Sequence, residues 1–401
     1  MKNKIIATKN YLVNFGVKTT VKEILIQVGL MKRKRHDMTT FAKAKDIIAA
    51  DFINKPYKRP GKINKNILDI GFVSPPIGRG GGGHLNITRF ANYLIGGGHK
   101  VTMYVYSGPL KQDPDDAKMI LKKHYNLDIE VKSVDEYKKE DVVFATSWET
   151  AYPVFNLKTE AHKMYFVQDF EPYFFPASSH YIFAENTYRF GFFGLCAGGW
   201  LPKKLAEYGM RSDHYDFSVD ADLYRPKGKI DKKKKILFYA QPSKGRRAFE
   251  LGVISLGIFK SKHPDYEIDF VGENIDNINI PFEFNNLKNL PLDKLPELYH
   301  EFPVCLVLSL TNVSLLPLEL LASGCVPILN NGENNTLVLG DNDDIIFTDL
   351  TPTGIANSIE KVISIKDINK HAKMISEKIS NSSWNDEYEK AEQIILREVT
   401  K

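Results

Sequence analysis

Cysteine is scarce in this sequence, and a membrane span and a signal peptide are missing from it. The three cysteines, Cys196, Cys305 and Cys325, are odd in number and sit unclustered in apolar runs. They therefore predict neither a disulfide framework nor a zinc site. No apolar run reaches the length of about 18 residues that suggests a transmembrane helix. The first residues also lack the apolar core of a signal peptide, so we expect a cytoplasmic protein.

The charge of the chain is unevenly distributed. Residues 1–65 hold 16 Lys and Arg against 4 Asp and Glu, whereas the rest holds 38 basic and 45 acidic residues. An acidic body argues against a nucleic-acid-binding core, and no nucleic-acid partner is expected. Residues 1–40 include helical apolar spacing and the run Lys32–Arg35. They would either lie on an anionic membrane surface or form a solvated basic helix packed on the body, and the sequence leaves both open.

The first ligand loop follows an apolar strand. Residues 67–74 are typical of a buried strand, and residues 85–94 have the spacing of an amphipathic helix. Between them, Gly82 and Gly83 allow a ligand to approach the backbone closely, and His84 could donate to a phosphate or a reacting oxygen. The loop contains a literal G-x-G-x-x-G, but the next strand ends at Tyr106-Ser107 without an acidic residue. An NAD-dependent oxidoreductase is therefore a weak alternative.

Polar and aromatic residues follow another strand at residues 163–167. Asp169 and Glu171 come directly after it, where side chains of a parallel sheet point towards a ligand crevice. Tyr173 belongs to an aromatic group that either stacks on sugars or packs as a lid. Asp220 and Asp222 match a D-x-D metal signature, but a connector between domains fits the surrounding residues better, and we expect no metal.

The second half of the chain opens with a cationic loop. A strand at residues 236–240 leads into Lys244, Arg246 and Arg247, before a helix at residues 248–261. This position mirrors that of the glycine loop. Three cations at a strand end suit the diphosphate of a nucleotide.

A second βα unit occupies residues 304–335. Its strand is predicted at residues 304–310, Pro317 suits the first turn of the following helix, and Gly324 ends it. Leu315 and Leu316 would offer free N–H groups to a phosphate. Glu319 could reach a ribose or merely favour the helix dipole. The two halves together predict two doubly wound α/β domains that face each other across a cleft.

Several local patterns resemble the family-4 retaining glycosyltransferases of GT-B fold, and within them the WsaF-type bacterial rhamnosyltransferases. They span about residues 67–335. The patterns are Gly80–His84 with Ile87–Arg89, YFVQDFEPYF from Tyr165, YRFG from Tyr188, Val219–Pro226, FYA from Phe238, RRAFEL from Arg246, PLEL from Pro317 and GENN from Gly332.

The resemblance implies an NDP-sugar donor bound mainly by the second domain. Glu319 matches the second glutamate of the family's E-x7-E motif, which contacts the ribose. Thr311 stands where the first glutamate would be, a departure that is compatible with a 6-deoxy sugar. The donor sugar would lie near Thr311, Glu333 and Asn334. Gln241 also replaces an arginine that is often found in the cationic loop.

The expected organisation has four parts. They are a basic helical extension and linker (1–65), a Rossmann-like acceptor-side domain (66–228), a Rossmann-like nucleotide-sugar domain (229–378) and a C-terminal helix packing back on the first domain (379–401). The expected reaction is retaining, metal-independent transfer of L-rhamnose from dTDP-β-L-rhamnose to a surface polysaccharide or polyprenol-linked glycan.

In that reaction Asp169 would act on the acceptor hydroxyl, assisted by His84, with Glu171, Tyr173 and Arg189 on the acceptor side. The sequence is also compatible with a transferase for UDP- or GDP-hexose and with a non-catalytic carbohydrate-binding protein.

Overall fold

The computed structural model describes residues 41–79, 82–108, 111–340, 342–379 and 383–401. The predictions for residues 1–40, including the basic run Lys32–Arg35, lie outside the described residues. So do those for Gly80 and Gly81 of the glycine loop. Of residues 41–65, only a short stretch is helical, and the remainder crosses the surface of the first domain.

The first domain is built on a parallel seven-stranded sheet with the order β3-β2-β1-β4-β5-β6-β7. Its strands are β1 Asp69–Ser74, β2 Lys100–Val105, β3 Glu130–Ser133, β4 Val142–Ala145, β5 His162–Val167, β6 Phe193–Ala197 and β7 Ser212–Tyr215. Its helices are α1 Ala44–Ala49, α2 Gly82–Gly96, α3 Pro114–Tyr125, α4 Trp148–Asn156, α5 Ser179–Thr187 and α6 Trp200–Ala206.

The second domain repeats this arrangement with six parallel strands in the order β10-β9-β8-β11-β12-β13. The connector between the domains contains α7 Ala221–Tyr224. The strands are β8 Lys235–Ala240, β9 Glu267–Gly272, β10 Asn285–Lys288, β11 Val304–Leu306, β12 Val326–Asn330 and β13 Ile346–Thr348. The helices are α8 Phe249–Lys262, α9 Leu295–Glu301, α10 Leu316–Ala322, α11 Glu333–Leu339, α12 Pro352–Ile363 and α13 Ile368–Lys378. The last helix of the chain, α14 Trp384–Val399, follows the second domain in sequence.

Both strand orders reverse direction next to their first strand, between β1 and β4 and between β8 and β11. Ligands of doubly wound sheets bind at this switch point, outside the carboxyl ends of the strands. The predicted architecture of two doubly wound domains is thereby confirmed. None of the helices within the described ranges combines the length and the apolarity that crossing a bilayer requires.

The β11–α10 unit shows where the pattern of apolar residues misleads. Its strand ends at Leu306, although the apolar run continues to Leu310. Beyond the strand, the Val307 N–H still donates to the carbonyl of Ile328 on β12 (2.9 Å), whereas the Leu310 N–H donates to the carbonyl of Arg246 in the cationic loop (2.9 Å). The prediction for the helix end is confirmed, since Gly324 adopts a φ of +70° that favours glycine.

The first sheet is packed on both faces because successive side chains of a strand point to opposite sides. One face carries Phe72, Phe144 and Phe166, whose rings pack within 6.3 Å of each other. The C-terminal helix α14 closes this face, with the Tyr388 ring 5.5 Å from that of Phe90 on α2. Helix α14 thus belongs to the core of the first domain, although it follows the second in sequence.

Two glycines of helix α8 provide a matched test of core packing. A Cβ on Gly252 would lie 2.2 Å from Cζ of Phe238, a ring that is completely buried, whereas one on Gly257 would lie 3.5 Å from Phe282. We expect Gly252→Ala to destabilise the second domain by about 1–3 kcal/mol through overpacking. Gly257→Ala should be neutral or stabilise the helix by about 0.5–1 kcal/mol. Thermal melting of both variants checks this; a Gly252→Ala protein that melts like Gly257→Ala would contradict the packing.

Candidate active site

The carboxylate of Asp169 lies where the two domains meet. It follows β5 of the first sheet, and its Oδ1 accepts from the backbone N–H of Phe170 (2.8 Å) and of Asn312 (2.9 Å). Its Oδ2 accepts from the hydroxyl of Thr311 at 3.0 Å and lies 3.8 Å from Nε of Arg246. Three of these four partners come from the second domain, so the position of the carboxylate depends on both domains.

The environment of Asp169 changes its acidity. Burial raises the pKa of this carboxyl group, and the charges of Arg246 and Arg247 together with its hydrogen bonds only partly oppose that effect. The net direction is upward. A carboxylate with a raised pKa is a stronger base, which suits a group that accepts a proton from a hydroxyl.

Thr311 is placed differently from the expectation that it faces the donor sugar. The residue is completely buried, and its hydroxyl is engaged by Asp169. A sugar would therefore meet Asp169 rather than the Thr311 hydroxyl in this arrangement. The sequence could not show this, because the contact joins residues 142 positions apart.

The three predicted cations converge at the carboxyl end of β8. Arg246 and Arg247 lie in a single 3-10 turn, Gly245–Arg247. The guanidinium of Arg246 stacks on the ring of Phe174 of the first domain, 4.0 Å from the centroid. That of Arg247 is buried and donates from Nη1 to Oγ of Ser309 at 2.9 Å.

The cations of this cluster act on one another. Burial and the charges of both arginines lower the pKa of Lys244, and the charge of Glu273 only partly opposes that shift. In the described part of the chain, Asp169 is the carboxylate that pairs with the cluster, through Arg246. The Nε atoms of Arg246 and Arg247 are buried and have no hydrogen-bond partner. An anion with several oxygens would satisfy these donors.

Helix α10 buries Glu319 beside Tyr224 of the connector. The helix begins at Leu316 with Leu315 as its N-cap, and Pro317 lies in its first turn as predicted. Glu319 is bonded by the hydroxyl of Tyr224, and burial raises the pKa of its carboxyl to about 7. Burial raises the pKa of Tyr239, and the charges of Glu319 and both arginines also act on it. Tyr239 was not singled out from the sequence, because it belongs to a strand and not to a loop.

The glycine loop reaches the same region from the first domain. A Cβ on Gly83 would lie 3.4 Å from Nε2 of Gln168, the residue before Asp169. Gln168 in turn accepts from Nδ2 of Asn86 on α2 at 3.1 Å. Gly82 begins helix α2, and burial lowers the pKa of His84, which is therefore neutral at pH 7. The structure brings Gly83 next to the Asp169 segment and keeps His84 uncharged.

The predicted acceptor residues lie in different environments. Glu171 is buried, and its carboxylate accepts from the Trp148 N–H (2.8 Å) and the Tyr165 hydroxyl (2.9 Å). Burial and nearby Glu149 raise the pKa of Glu171 to about 8. Both carboxylate oxygens are thus used inside the domain, which leaves no free one for an acceptor.

Tyr173 and Arg189, by contrast, are accessible. Tyr173 is 40% exposed. Arg189 stacks on the Tyr208 ring at 4.8 Å and pairs with Glu185 at 3.1 Å. Their predicted contact with an acceptor stays a prediction.

A cavity of about 260 Å³ lies between the domains beside Leu310. It is lined by Tyr173 and by the predicted donor-sugar residues Glu333 and Asn334. The other wall comes from α6 and includes Trp200, Lys203, Lys204 and Glu207. Lys203 pairs with Glu333 across the cavity at 2.6 Å. The residues of α6 were missed, although the Gly198-Gly199 pair before the helix marks a loop at a strand end.

The D-x-D pair serves as part of the connector. Asp220 pairs with Arg89 of α2 at 2.7 Å, and Asp222 lies 3.7 Å from Arg225. Among the described residues, no three His, Cys, Asp or Glu side chains converge as metal ligands. Asp220 therefore links the connector to the first domain.

Two models of the WsaF family match the chain, that of the N-terminal domain over residues 110–192 and that of the C-terminal domain over residues 234–360. The O-antigen biosynthesis protein RfbC of Myxococcus xanthus is 28% identical over 261 residues, which is 62% of this chain and 20% of that protein. The chain thus spans about a fifth of the length of this curated relative.

Solved glycosyltransferase structures share the fold. Sucrose-phosphate synthase of Thermosynechococcus elongatus aligns with a TM-score of 0.59 at 12% identity, covering 82% of this chain and 98% of that one. HepE of Anabaena, solved with UDP and glucose, aligns with a TM-score of 0.59 at 13% identity, covering 83% and 100%. A glycosyltransferase of Rickettsia africae aligns with a TM-score of 0.56 at 16% identity, covering 84% and 100%.

Glu319 gives the site a pH-dependent stability. A carboxyl group with a pKa of about 7 in the folded chain and an ordinary value of 4.5 holds its proton more tightly when folded. Its stabilising contribution is complete below about pH 4.5 and is lost as the pH rises through 7. Glu319→Gln cannot ionise, so we expect it to melt higher than the wild type at pH 8 and close to it at pH 5. Exposed Glu297→Gln is the control. A Glu319→Gln difference that is equal at both pH values would contradict this.

Proposed function

Since this chain belongs to the WsaF family of glycosyltransferases and has the GT-B fold, we propose that it transfers L-rhamnose from dTDP-β-L-rhamnose to a growing surface polysaccharide or lipid-linked glycan. The observation that carries the proposal is the convergence of Lys244, Arg246 and Arg247 with Asp169 at the junction of the two domains. The relative of M. xanthus, an O-antigen biosynthesis protein, supports a surface glycan as the product.

The cation cluster is the proposed site of the donor diphosphate. The guanidinium of Arg246, whose side chain is 18% exposed, would donate to phosphate oxygens, and Arg247 and Lys244 would add two further positive charges. Cationic groups held in place before the reaction stabilise the charge that develops on the leaving diphosphate. The proposal therefore requires no metal ion. Gly83, which lies beside Gln168, would let the ligand approach the backbone closely, and Glu319 would bind the ribose.

The proposed donor sugar lies between Asp169 and the interdomain cavity. Asn334 connects the two, since its Nδ2 donates to the carbonyl of Ser309 at 2.8 Å and also to that of Thr311. Thr311 stands where the wider family has a carboxylate, which supports a 6-deoxy sugar such as L-rhamnose. Glu333 lines the same cavity.

In the proposed reaction, the bond between C1 of the sugar and the diphosphate oxygen breaks, and its electron pair leaves with the diphosphate. The acceptor hydroxyl forms the new bond to C1, and its proton passes to Asp169. The raised pKa of Asp169 suits this transfer. Neutral His84 would assist near the donor. The product would keep the configuration at C1, as in the retaining family that the sequence resembles, if the acceptor attacks from the face that the diphosphate leaves; a double displacement, in which two inversions cancel, would have the same outcome.

A second candidate donor is a UDP-hexose. HepE was solved with UDP-glucose and shares the fold over 83% of this chain. The cation cluster would serve the diphosphate of either donor, so donor identity depends on the base and the sugar.

The basic N-terminal segment is the proposed link to the acceptor. Its excess of Lys and Arg would attract an anionic membrane surface that carries a lipid-linked glycan, at the cytoplasmic face. Co-sedimentation with anionic liposomes tests this, because a variant lacking residues 1–60 should stay in the supernatant. Equal sedimentation of the two proteins would exclude the role.

The donor is tested by thermal shift against dTDP, UDP and GDP, followed by calorimetry with the best ligand. We expect dTDP to raise the melting temperature most, because a ligand stabilises the state that it binds. Arg246→Ala should weaken nucleotide binding by about 1–3 kcal/mol, the scale of a charged hydrogen bond. Arg211→Ala, which removes a surface arginine of the first domain, is the control. Unchanged affinity of Arg246→Ala would remove it from the diphosphate site, and a larger shift with UDP would favour the second candidate.

Asp169 is tested by separating turnover from binding. Asp169→Asn keeps the shape of the side chain but loses the base, so we expect turnover to fall by at least about 100-fold, the lower end for acid–base catalysis. Donor affinity should stay nearly unchanged. Asp213→Asn, an exposed acid that pairs with Arg397 in the same domain, should retain activity. Persistent turnover of Asp169→Asn would assign the base to another residue.

A further inference from the structure

We propose that Asn312 is a positioning residue that fixes the carboxylate of Asp169 by holding the two domains closed around it. Asn312 belongs to the second domain, is 1% exposed and contacts three acceptors of the first. Its Nδ2 donates to the carbonyls of Gln168 (2.9 Å) and Ala197 (2.8 Å), and its backbone N–H donates to Oδ1 of Asp169 (2.9 Å).

The orientation of the Asn312 amide follows from its partners. Carbonyl oxygens only accept hydrogen bonds, so the nitrogen of the amide must face Gln168 and Ala197. The two carbonyls follow directly on β5 and end β6, and Asn312 therefore ties two neighbouring strand ends of one sheet to a loop of the other. The remaining atom, Oδ1, is buried and has no hydrogen-bond partner. The two interdomain hydrogen bonds of Asn312 are thus made although its Oδ1 stays without a hydrogen bond, which costs free energy.

The 309–312 loop, which contains Asn312, is hydrogen-bonded to the cation cluster. The Ser309 hydroxyl donates to the carbonyl of Asn312 at 3.0 Å and accepts from Nη1 of Arg247 at 2.9 Å. The Ser309 N–H is held by Oδ1 of Asn330 at 2.8 Å. Asn312 is therefore connected through one side chain to the proposed diphosphate site.

Separation of the domains would remove most of the partners of the Asp169 carboxylate. Of the partners of its carboxylate, the Phe170 N–H alone lies in the first domain, while Thr311, Asn312 and Arg246 lie in the second. A side chain that keeps one of four partners is free to adopt other rotamers. Asp169 is thus in place for the proposed reaction only in the closed arrangement that Asn312 maintains.

The side chain of Asn312 can be altered without removing the backbone N–H that Asp169 accepts from. Asn312→Ala removes both interdomain bonds. Asn312→Asp is nearly identical in shape but places a carboxylate oxygen against the two carbonyls, which repels the domains. Asn335 is a matched control within one domain, because it is also fully buried, donates to the carbonyls of Asn330 and Ser309, and has an unpartnered Oδ1.

The kinetic readout rests on the proposed function. We expect Asn312→Ala to lower kcat by roughly 10- to 100-fold, the scale of a misplaced catalytic group, while the affinity for dTDP measured by calorimetry changes less than about threefold. Asn312→Asp should lose more turnover than Asn312→Ala. Asn335→Ala should melt lower yet keep kcat within about threefold. If Asn312→Ala and Asn335→Ala lose melting temperature and kcat in parallel, the role of Asn312 is only structural and the proposal is overturned.

A second readout requires no substrate. Small-angle X-ray scattering of the full chain should give a larger radius of gyration for Asn312→Asp than for the wild type and Asn335→Ala. If the wild type turns over no dTDP-, UDP- or GDP-sugar, the proposed function fails while the scattering still decides the closure. An unchanged radius of gyration in Asn312→Asp would overturn the role of Asn312.

Discussion

The hydrogen bonds around the carboxylate of Asp169 are the constraint on which the rest of the site depends. A buried carboxylate is costly unless its oxygens are bonded, and here three of the four partners come from the other domain. The two sheets must therefore face each other at these strand ends for Asp169 to be stable where it is. This requirement explains why Thr311 and Asn312 are completely buried although they belong to a loop.

The cation cluster gathers three positive charges, and the charges of the two arginines lower the pKa of Lys244. Asp169 compensates Arg246 at 3.8 Å, and Phe174 offers the face of its ring to the same guanidinium. A diphosphate would supply negative charge and compete with Asp169 for Arg246. The proposed donor binding would thereby be linked to Asp169 through one guanidinium, and Arg247 is connected to the 309–312 loop through Ser309.

The sequence predicted those parts of the site that follow from the order of strands and loops along the chain. Apolar runs marked the strands, and cations or glycines after a strand marked the loops at the carboxyl edge, as for Arg246 and Gly83. The contacts of Thr311 and Asn312 with Asp169 were not predictable, because they join residues more than 140 positions apart in separate domains. Asp169 and Glu171 show the same limit. They lie two residues apart at one strand end, yet Asp169 faces the second domain and Glu171 is buried against Trp148 and Tyr165.

The shared strand order of the two domains makes the difference between their first loops informative. The loops after β1 and β8 are equivalent in topology, since each follows the first strand beside a switch point. The loop after β8 carries Lys244, Arg246 and Arg247, whereas the described part of the loop after β1 carries Arg79 and otherwise offers backbone. The two loops occupy equivalent positions and differ mainly in charge, so they are suited to different roles in ligand binding. In the proposed function the diphosphate would therefore bind to the second domain, and the glycine loop could approach the ligand closely without adding to the repulsion within the cation cluster.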